Sequence, residues 1–285
     1  MDRFKLTRNI AITGISANIV LMIIKLVIGF VSNSRSMIAD GFNSAGDVFA
    51  SVMTYAGNKI ASKPEDKQHP YGHGKAEYIF SMIISFSLLV VSYKSLSGSV
   101  SSIIQKNVFN FSWWLVAVAV ATILIKTCLF LYTRHAGRRE DNLLIIANSE
   151  DHRNDILITL STLLSIIFGV YNIYWLDGIV GIGISLWIAY TGIRIFLSSY
   201  NVLMDTTIDK VMEEKIINII SLVEGVDHID SISAKPVGVN YILIVKVSVH
   251  GDMSVNSSHT VAARIKHNLK TLKNVSDVVV HVNPV

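Results

Sequence analysis

A single cysteine, Cys128, stands in 285 residues, which excludes an intramolecular disulfide and any metal centre built from clustered thiolates. Charge is scarce too: 16% of residues are charged, where soluble proteins carry about 25%. With 51% apolar residues and a mean hydropathy of +0.48, the chain is too apolar for a water-soluble fold and reads as a membrane protein. Its formal charge of +4 is not gathered on one basic face, so nucleic acid is not the expected partner. No nucleophile sits beside a base and no phosphate loop is present, and the paired acids lack the Gly-rich flanks of an intramembrane aspartyl protease. An enzyme is therefore not expected. The basic start MDRFKLTRN leads into an apolar run of about 20 residues without a small-residue cleavage pattern, which reads as a spanning helix and not a signal peptide.

What the sequence does contain is six apolar segments, roughly Asn9 to Val31, Met37 to Ile60, Ala76 to Ile104, Trp113 to Tyr132, Leu143 to Val170 and Leu176 to Met204. The second and fifth are the most polar, as expected of helices facing a protein interior or a water-filled cavity. Arg3, Lys5, Arg8, Lys59, Lys63, Lys67, Lys75, Arg134, Arg138 and Arg139 fall on one side of these spans, against Arg35 and Lys106 on the other. The basic side is expected in the cytoplasm, with both termini. Lys25 and Lys126 fall within spans, where snorkelling of their long stems is favoured over a direct part in transport.

Nine residues occur in two related copies, ADGFNSAGD from Ala39 to Asp47 and ANSEDHRND from Ala147 to Asp155. On helices, Asp40, Asn43 and Asp47 share one stripe, and Asn148, Asp151 and Asp155 another. A carboxylate at membrane depth costs about 2.5 kcal/mol or more. An ion site explains the repeated spacing better than headgroup-level helix ends or hydrogen bonds between helices.

After Met204 the pattern changes. Ile208, Val211, Met212, Ile216, Ile219 and Ile220 have helical spacing; Tyr241, Leu243, Val245, Val247 and Val249 alternate along a strand. A strand is expected near Val226 to Ala234. A second helix starts at Ser254 as N-cap, with Val255, Ala262, Ile265 and Leu269 on one side, and Val278, Val280 and Val282 share a face of the last strand. The reading is an α-helical membrane domain of six transmembrane helices over residues 1–204, then a small α/β domain over 205–285, ferredoxin-like in its αββαβ order.

The six spans, the acidic motifs in the second and fifth, the string DKQHPYGHGKAE from Asp66 to Glu77, and the close on Val280, His281, Val282, Asn283 and Pro284 together resemble the cation diffusion facilitator family of divalent-metal transporters. The resemblance covers nearly the whole chain. It implies a homodimer in the cell membrane, no resident cofactor, and a transport site made of Asn43 and Asp47 with Asp151 and Asp155. Zinc members of the family usually place His in one or both of the first positions; here His152 falls one residue beyond, about 100° away on a helix. An all-oxygen set suits Mg²⁺, Ca²⁺ or Mn²⁺, and Asn-Asp-Asp-Asp is similar to the bacterial manganese-exporting branch, so Mn²⁺ is the expected cargo, ahead of Fe²⁺ and Zn²⁺. Three crowded carboxylates cannot all stay ionised without a cation, so metal binding is expected to release protons, as in the metal/proton antiport by alternating access that the resemblance implies.

Asp40 and Asn148 extend the stripes by about a turn, as supports or gates of the site or as hydrogen bonds between helices. The resemblance also implies a loop metal site at Asp66, His69 and His73, against a bland role in shaping the loop, and an ion pair between Lys75 and Asp205 linking the two domains. Of a two-metal cytoplasmic site, His228, His259 and His281 persist while Lys246 and Asn283 replace ligands. The bridged pair of metals is expected to be lost, with His259 and His281 holding one ion or serving structure. A non-transporting metal-gated sensor or a channel is the remaining alternative.

Overall fold

The computed structural model describes residues 3–31, 35–105, 113–170, 174–205, 208, 210–238 and 240–285. Six long helices come first: α1 (Arg3–Val31), α2 (Arg35–Ala61), α3 (Ala76–Gln105), α4 (Trp113–Arg139), α5 (Leu143–Val170) and α6 (Tyr174–Leu203). The chain then gives α7 (Lys210–Ser221), β1 (His228–Val237), β2 (Asn240–Val249), α8 (Val255–Leu269) and β3 (Val275–Pro284). It divides into two compact units, Met1–Lys63 with Ala76–Tyr200, and Pro64–Lys75 with Asn201–Val285. The loop after α2 thus belongs to the second unit.

Among the described residues, α1, α3, α4 and α6 are long and apolar enough to cross a membrane. The other two helices of the bundle bury polar residues. In α2, Ser44, Asp47, Ser51, Thr54 and Asn58 form a buried stripe at three- and four-residue spacing. In α5, Asn148, Ser149, Glu150, Asp151, His152 and Asn154 are all buried. A stripe of this kind would be costly against lipid, so it turns inward and polar groups meet across helices. Asn18 of α1 donates to the Asp47 carbonyl at 3.0 Å and to Ser51 Oγ at 3.1 Å, tying α1 to α2 at the level of the acidic motif. The apolar core beside it is Ala50, Ile84, Leu88, Leu144, Ala147, Ile188 and Ile195. Gly57 lets α2, α3 and α5 close up there: a Cβ at this position would lie 2.7 Å from Phe80 Cβ and 2.9 Å from Leu144 Cδ2.

Both lysines read as snorkelling are buried instead. Lys25 is 4% exposed and donates to Ser44 Oγ at 3.1 Å; Lys126 is 1% exposed and turned toward carboxylates. Their stems end on acceptors inside the bundle, which outweighs the reach to the headgroups.

The second unit has the helix–strand–strand–helix–strand order expected of it. Its sheet runs β1-β2-β3, with β1 and β2 antiparallel and β2 and β3 parallel. Leu243, Val245, Val247 and Val249 of β2 face α7 and α8, whose Ile216, Ile220, Val261, Ile265 and Leu269 complete the core with Val278. Ser254 caps α8, its Oγ accepting from Ser257 N at 3.2 Å. Val255, by contrast, is exposed; at the first helical position it lies outside the face that continues through Val261, Ile265 and Leu269. Ile265→Ala is expected to cost this unit about 2–5 kcal/mol, because the site is fully buried and cannot collapse around the lost volume. Thermal unfolding would show it as a lowered transition.

Candidate metal centre

The helical unit brings three of the four expected site residues to one buried place. Asp47 of α2 and Asp151 of α5 are buried and Asp155 is nearly so. All three reach a cavity of about 610 Å³ between α2, α3 and α5. The backbone of Asn43 lies on α2 one turn before Asp47, but its side chain, like that of Asp40, lies outside the described residues. Lys126 of α4 enters the same place, its Nζ 2.8 Å from Asp47 Oδ2 and paired with Asp155 Oδ2 as well. One ammonium therefore bridges the two helices that carry the repeated motif.

The same stretch of α5 carries buried polar atoms that have no hydrogen-bonding partner in the protein among the described residues: Asp151 Oδ2, both ring nitrogens of His152, and the side-chain nitrogens of Asn148 and Asn154. Leaving such groups unpaired is costly, and with Asn154 on the cavity beside the three carboxylates the arrangement fits a site that holds an ion and its water. Asp151, His152 and Asp155 each offer a ligand atom, all within 4.8 Å of one another. His152 thus comes into reach despite its angular offset, because neighbouring Cα atoms are only about 3.8 Å apart and an imidazole spans that shift. The donor set available is mixed oxygen and nitrogen, wider than the oxygen set read from the motif.

The loop of the second unit gathers its candidates too. Asp66 Oδ1 accepts from the backbone N–H of His69 at 2.7 Å and of Gln68 at 2.9 Å, a turn that folds His69 back onto the carboxylate. Gly72, at φ +75°, closes the next bend with its N–H on the His69 carbonyl. His73 Nε2 then lies 3.5 Å from Asp66 Oδ2, and the two imidazole rings are 4.4 Å apart. The segment is a turn, and through it Asp66, His69 and His73 present ligand atoms within 4.8 Å of one another. The backbone N–H of His69, then that of Gln68, holds the Asp66 carboxyl below its ordinary range and so keeps it ionised for a cation. Lys75 Nζ pairs with Asp205 Oδ1 at 2.6 Å, and Gly74 packs on Gly238, where a Cβ would come within 2.8 Å of the facing Cα. Both contacts fix the loop within the second unit.

The three cytoplasmic histidines are not gathered. Among the described residues no ligand cluster joins His228, His259 and His281 within one chain. His228 is instead held by carboxylates, its Nδ1 2.7 Å from Asp227 and its Nε2 3.0 Å from Asp230, while Ser248 and Asn283 also donate to Asp230. Asn283, read as replacing a ligand, serves as a donor in this network. His281 pairs in register with Lys246, whose ammonium opposes a cation there. The Asp227 hydrogen bond raises the His228 pKa above the ordinary imidazole value. This pairing favours the folded state fully below the ordinary value and is lost as pH rises through the raised one. An NMR titration is expected to show His228 deprotonating later than a free imidazole in the wild type and returning toward it in Asp227→Asn.

Residues 11–204 match the family described as Cation efflux transmembrane domain, and residues 208–285 that described as Cation efflux protein, cytoplasmic domain. The chain belongs to the cation efflux family, the cation diffusion facilitators. This is a family of membrane transporters and not of enzymes. The manganese efflux system proteins MneP and MneS of Bacillus subtilis are 29% and 30% identical to this cation efflux protein. MneP matches over 99% of the chain and 98% of its own length, MneS over 99% and 97%. An uncharacterised transporter of Methanocaldococcus jannaschii is 33% identical over 95% of the chain and 96% of its own length.

Proposed function

We propose that this cation efflux protein exports Mn²⁺ from the cytoplasm in exchange for protons, through a site of Asn43, Asp47, Asp151 and Asp155, by alternating access in a homodimer with both termini cytoplasmic. The observation that carries the reading is the convergence of three carboxylates from α2 and α5 on one cavity in the bundle. Hard oxygen donors suit Mn²⁺, and MneP and MneS are named for manganese efflux. The basic flanks set the orientation. Proton exchange follows from charge: with its metal gone, the crowded site is neutralised by Lys126 and by protons, and an arriving dication displaces them. Asp40 and Asn148 support or gate the quartet.

Flux into proteoliposomes under an imposed pH gradient tests this. Mn²⁺ transport should respond to the gradient and fall more than about 100-fold in Asp47→Ala and in Asp155→Ala, beyond the cost of an outer partner. Transport surviving both substitutions would reduce the repeated motif to a structural role. A second reading, Zn²⁺ export, rests on His152 standing within reach of Asp151 and Asp155. His152→Gln should leave Mn²⁺ flux near wild type if the oxygen donors hold the cargo; Zn²⁺ preferred over Mn²⁺, with both lost in this variant, favours the nitrogen site. Asn43→His is expected to gain Zn²⁺ transport at the expense of Mn²⁺.

Asp66, His69 and His73 hold a further ion on the cytoplasmic side. Calorimetric titration of the purified full chain with Mn²⁺ or Zn²⁺ should lose one ion per chain in His69→Ala/His73→Ala. An unchanged stoichiometry would leave the turn with only a structural role.

A further inference from the structure

A second cavity of the helical unit, about 660 Å³ and separate from the carboxylate site, opens between α4, α5 and α6. Four arginines line it: Arg134 and Arg138 from α4, Arg153 from α5 and Arg194 from α6, with Glu150 the one acid among its lining residues. Glu150 is shared by two of them, accepting from Arg134 at 2.6 Å and pairing with Arg153. Arg153 also donates to Thr191 Oγ1 at 3.0 Å and lies over the Trp187 ring at 5.7 Å, which fixes the guanidinium on the cavity wall. Its Nε remains buried without a hydrogen-bonding partner among the described residues. Arg138 and Arg194 are exposed. The cavity thus holds an uncompensated excess of guanidinium, and guanidinium forks match phosphate oxygens in pairs.

The depth of these charges decides what they meet. Arg153 lies ten residues into α5, about 15 Å from its start, and Arg194 lies inside the apolar stretch Gly178–Leu203 of α6. Trp187 and Tyr190, 54% and 58% exposed, also line the cavity, with rings 6.3 Å apart. Both rings lie near the middle of Gly178–Leu203, at the depth of acyl chains, whereas Arg138 stands in the last turn of α4; an arginine at membrane depth is costly and pairs with an anion or reaches toward the interface. A divalent cation would be repelled, so the cavity is no route to the transport site.

We propose that this cavity binds the headgroup of an anionic phospholipid, its phosphodiester held by Arg138, Arg153 and Arg194 and its acyl chains leaving past Trp187 and Tyr190. A basic pocket between membrane helices is the chemistry that such headgroups require. A free phosphate would satisfy the arginines but make no use of the aromatic flank, so the lipid is the ligand. Because Glu150 immediately precedes Asp151, a bound headgroup also restrains the turn of α5 that carries the transport ligands.

Native mass spectrometry of the full chain in detergent, titrated with phosphatidylglycerol or phosphatidylcholine, tests the site. Phosphatidylglycerol should be retained at least about tenfold more strongly than phosphatidylcholine, and Arg138→Gln/Arg194→Gln should abolish the difference. These two arginines are exposed and outside the Glu150 pairings, so the variant should keep the wild-type unfolding temperature. Equal retention of the two lipids overturns the proposal, as does an unchanged preference in the variant. Inorganic phosphate at millimolar concentration should not displace the lipid; if it does so completely, the site is one for free phosphate. Should the double variant unfold early, Arg138→Gln alone, read by the same lipid preference, decides.

Discussion

Lys126→Met is expected to bind Mn²⁺ at least about tenfold more tightly than the wild type, which is about 1.4 kcal/mol. In the described conformation the ammonium is the cation that Asp47 and Asp155 meet, and it is fully buried between them. A dication entering the quartet must first displace that ammonium, so part of its gain from the carboxylates replaces an interaction already made. Close charge pairs are coupled by about 1.5–7 kcal/mol, so removing the competitor shifts affinity by well over the scatter of a titration. Methionine keeps the length and bulk of the stem while losing the charge. The metal-free variant is expected to unfold earlier, since breaking a buried pair from one side costs about 3–5 kcal/mol. Added Mn²⁺ should restore it, giving a larger metal-dependent rise in unfolding temperature than in the wild type. Turnover is expected to fall, because tight binding slows release on the far side. Weaker Mn²⁺ binding in the variant would show that the lysine positions the acids instead of competing for them.

The contrast between Lys126 and the strands of the second unit shows where sequence reading reaches its limit. Leu243, Val245, Val247 and Val249 declare their burial by alternation alone, since a strand face is a local property. The paired motifs of α2 and α5 were legible for a similar reason: helical spacing puts their acids on stripes, and burial of a polar stripe among lipids calls for a function. What Lys126 meets is not local. Its partners stand 79 and 29 residues away, and only helix packing brings them together. His152 differs on other grounds: its angle takes it off the acidic stripe, but the reach of the ring brings it back toward Asp151 and Asp155. Val255 shares the helical spacing but stands in the first turn of α8 and is exposed, so spacing alone does not mark where a buried face begins. The loop at Asp66, His69 and His73 was legible in composition, and its turn was foreshadowed by Pro70 and Gly72.

Arg3→Met is expected to destabilise the helical unit by about 3–5 kcal/mol, far more than loss of an exposed charge. In sequence Arg3 reads as one of several topogenic charges, and Glu77 as the last letter of a motif. The structure joins them: Arg3 donates from both terminal nitrogens to the Glu77 carboxylate at 2.6 and 2.8 Å, and from Nε to the Glu140 carbonyl at 3.3 Å. Glu77 is only 2% exposed and also accepts from Asn142, which in turn donates to Thr7. The pair thus pins the start of α1 to the start of α3 and to the turn between α4 and α5. Removing the arginine leaves a carboxylate buried without its counter-charge, whereas removing both partners leaves an apolar contact of similar volume. Arg3→Met/Glu77→Met should therefore recover most of the loss, and Arg3→Lys, which keeps the topogenic charge but not the planar fork, should fall between wild type and Arg3→Met. Thermal unfolding of the wild type, Arg3→Met, Glu77→Met, the double variant and Arg3→Lys in one detergent makes the comparison. A double variant as unstable as the sum of the two single ones would mean that Arg3 and Glu77 act separately and that α1 is anchored elsewhere.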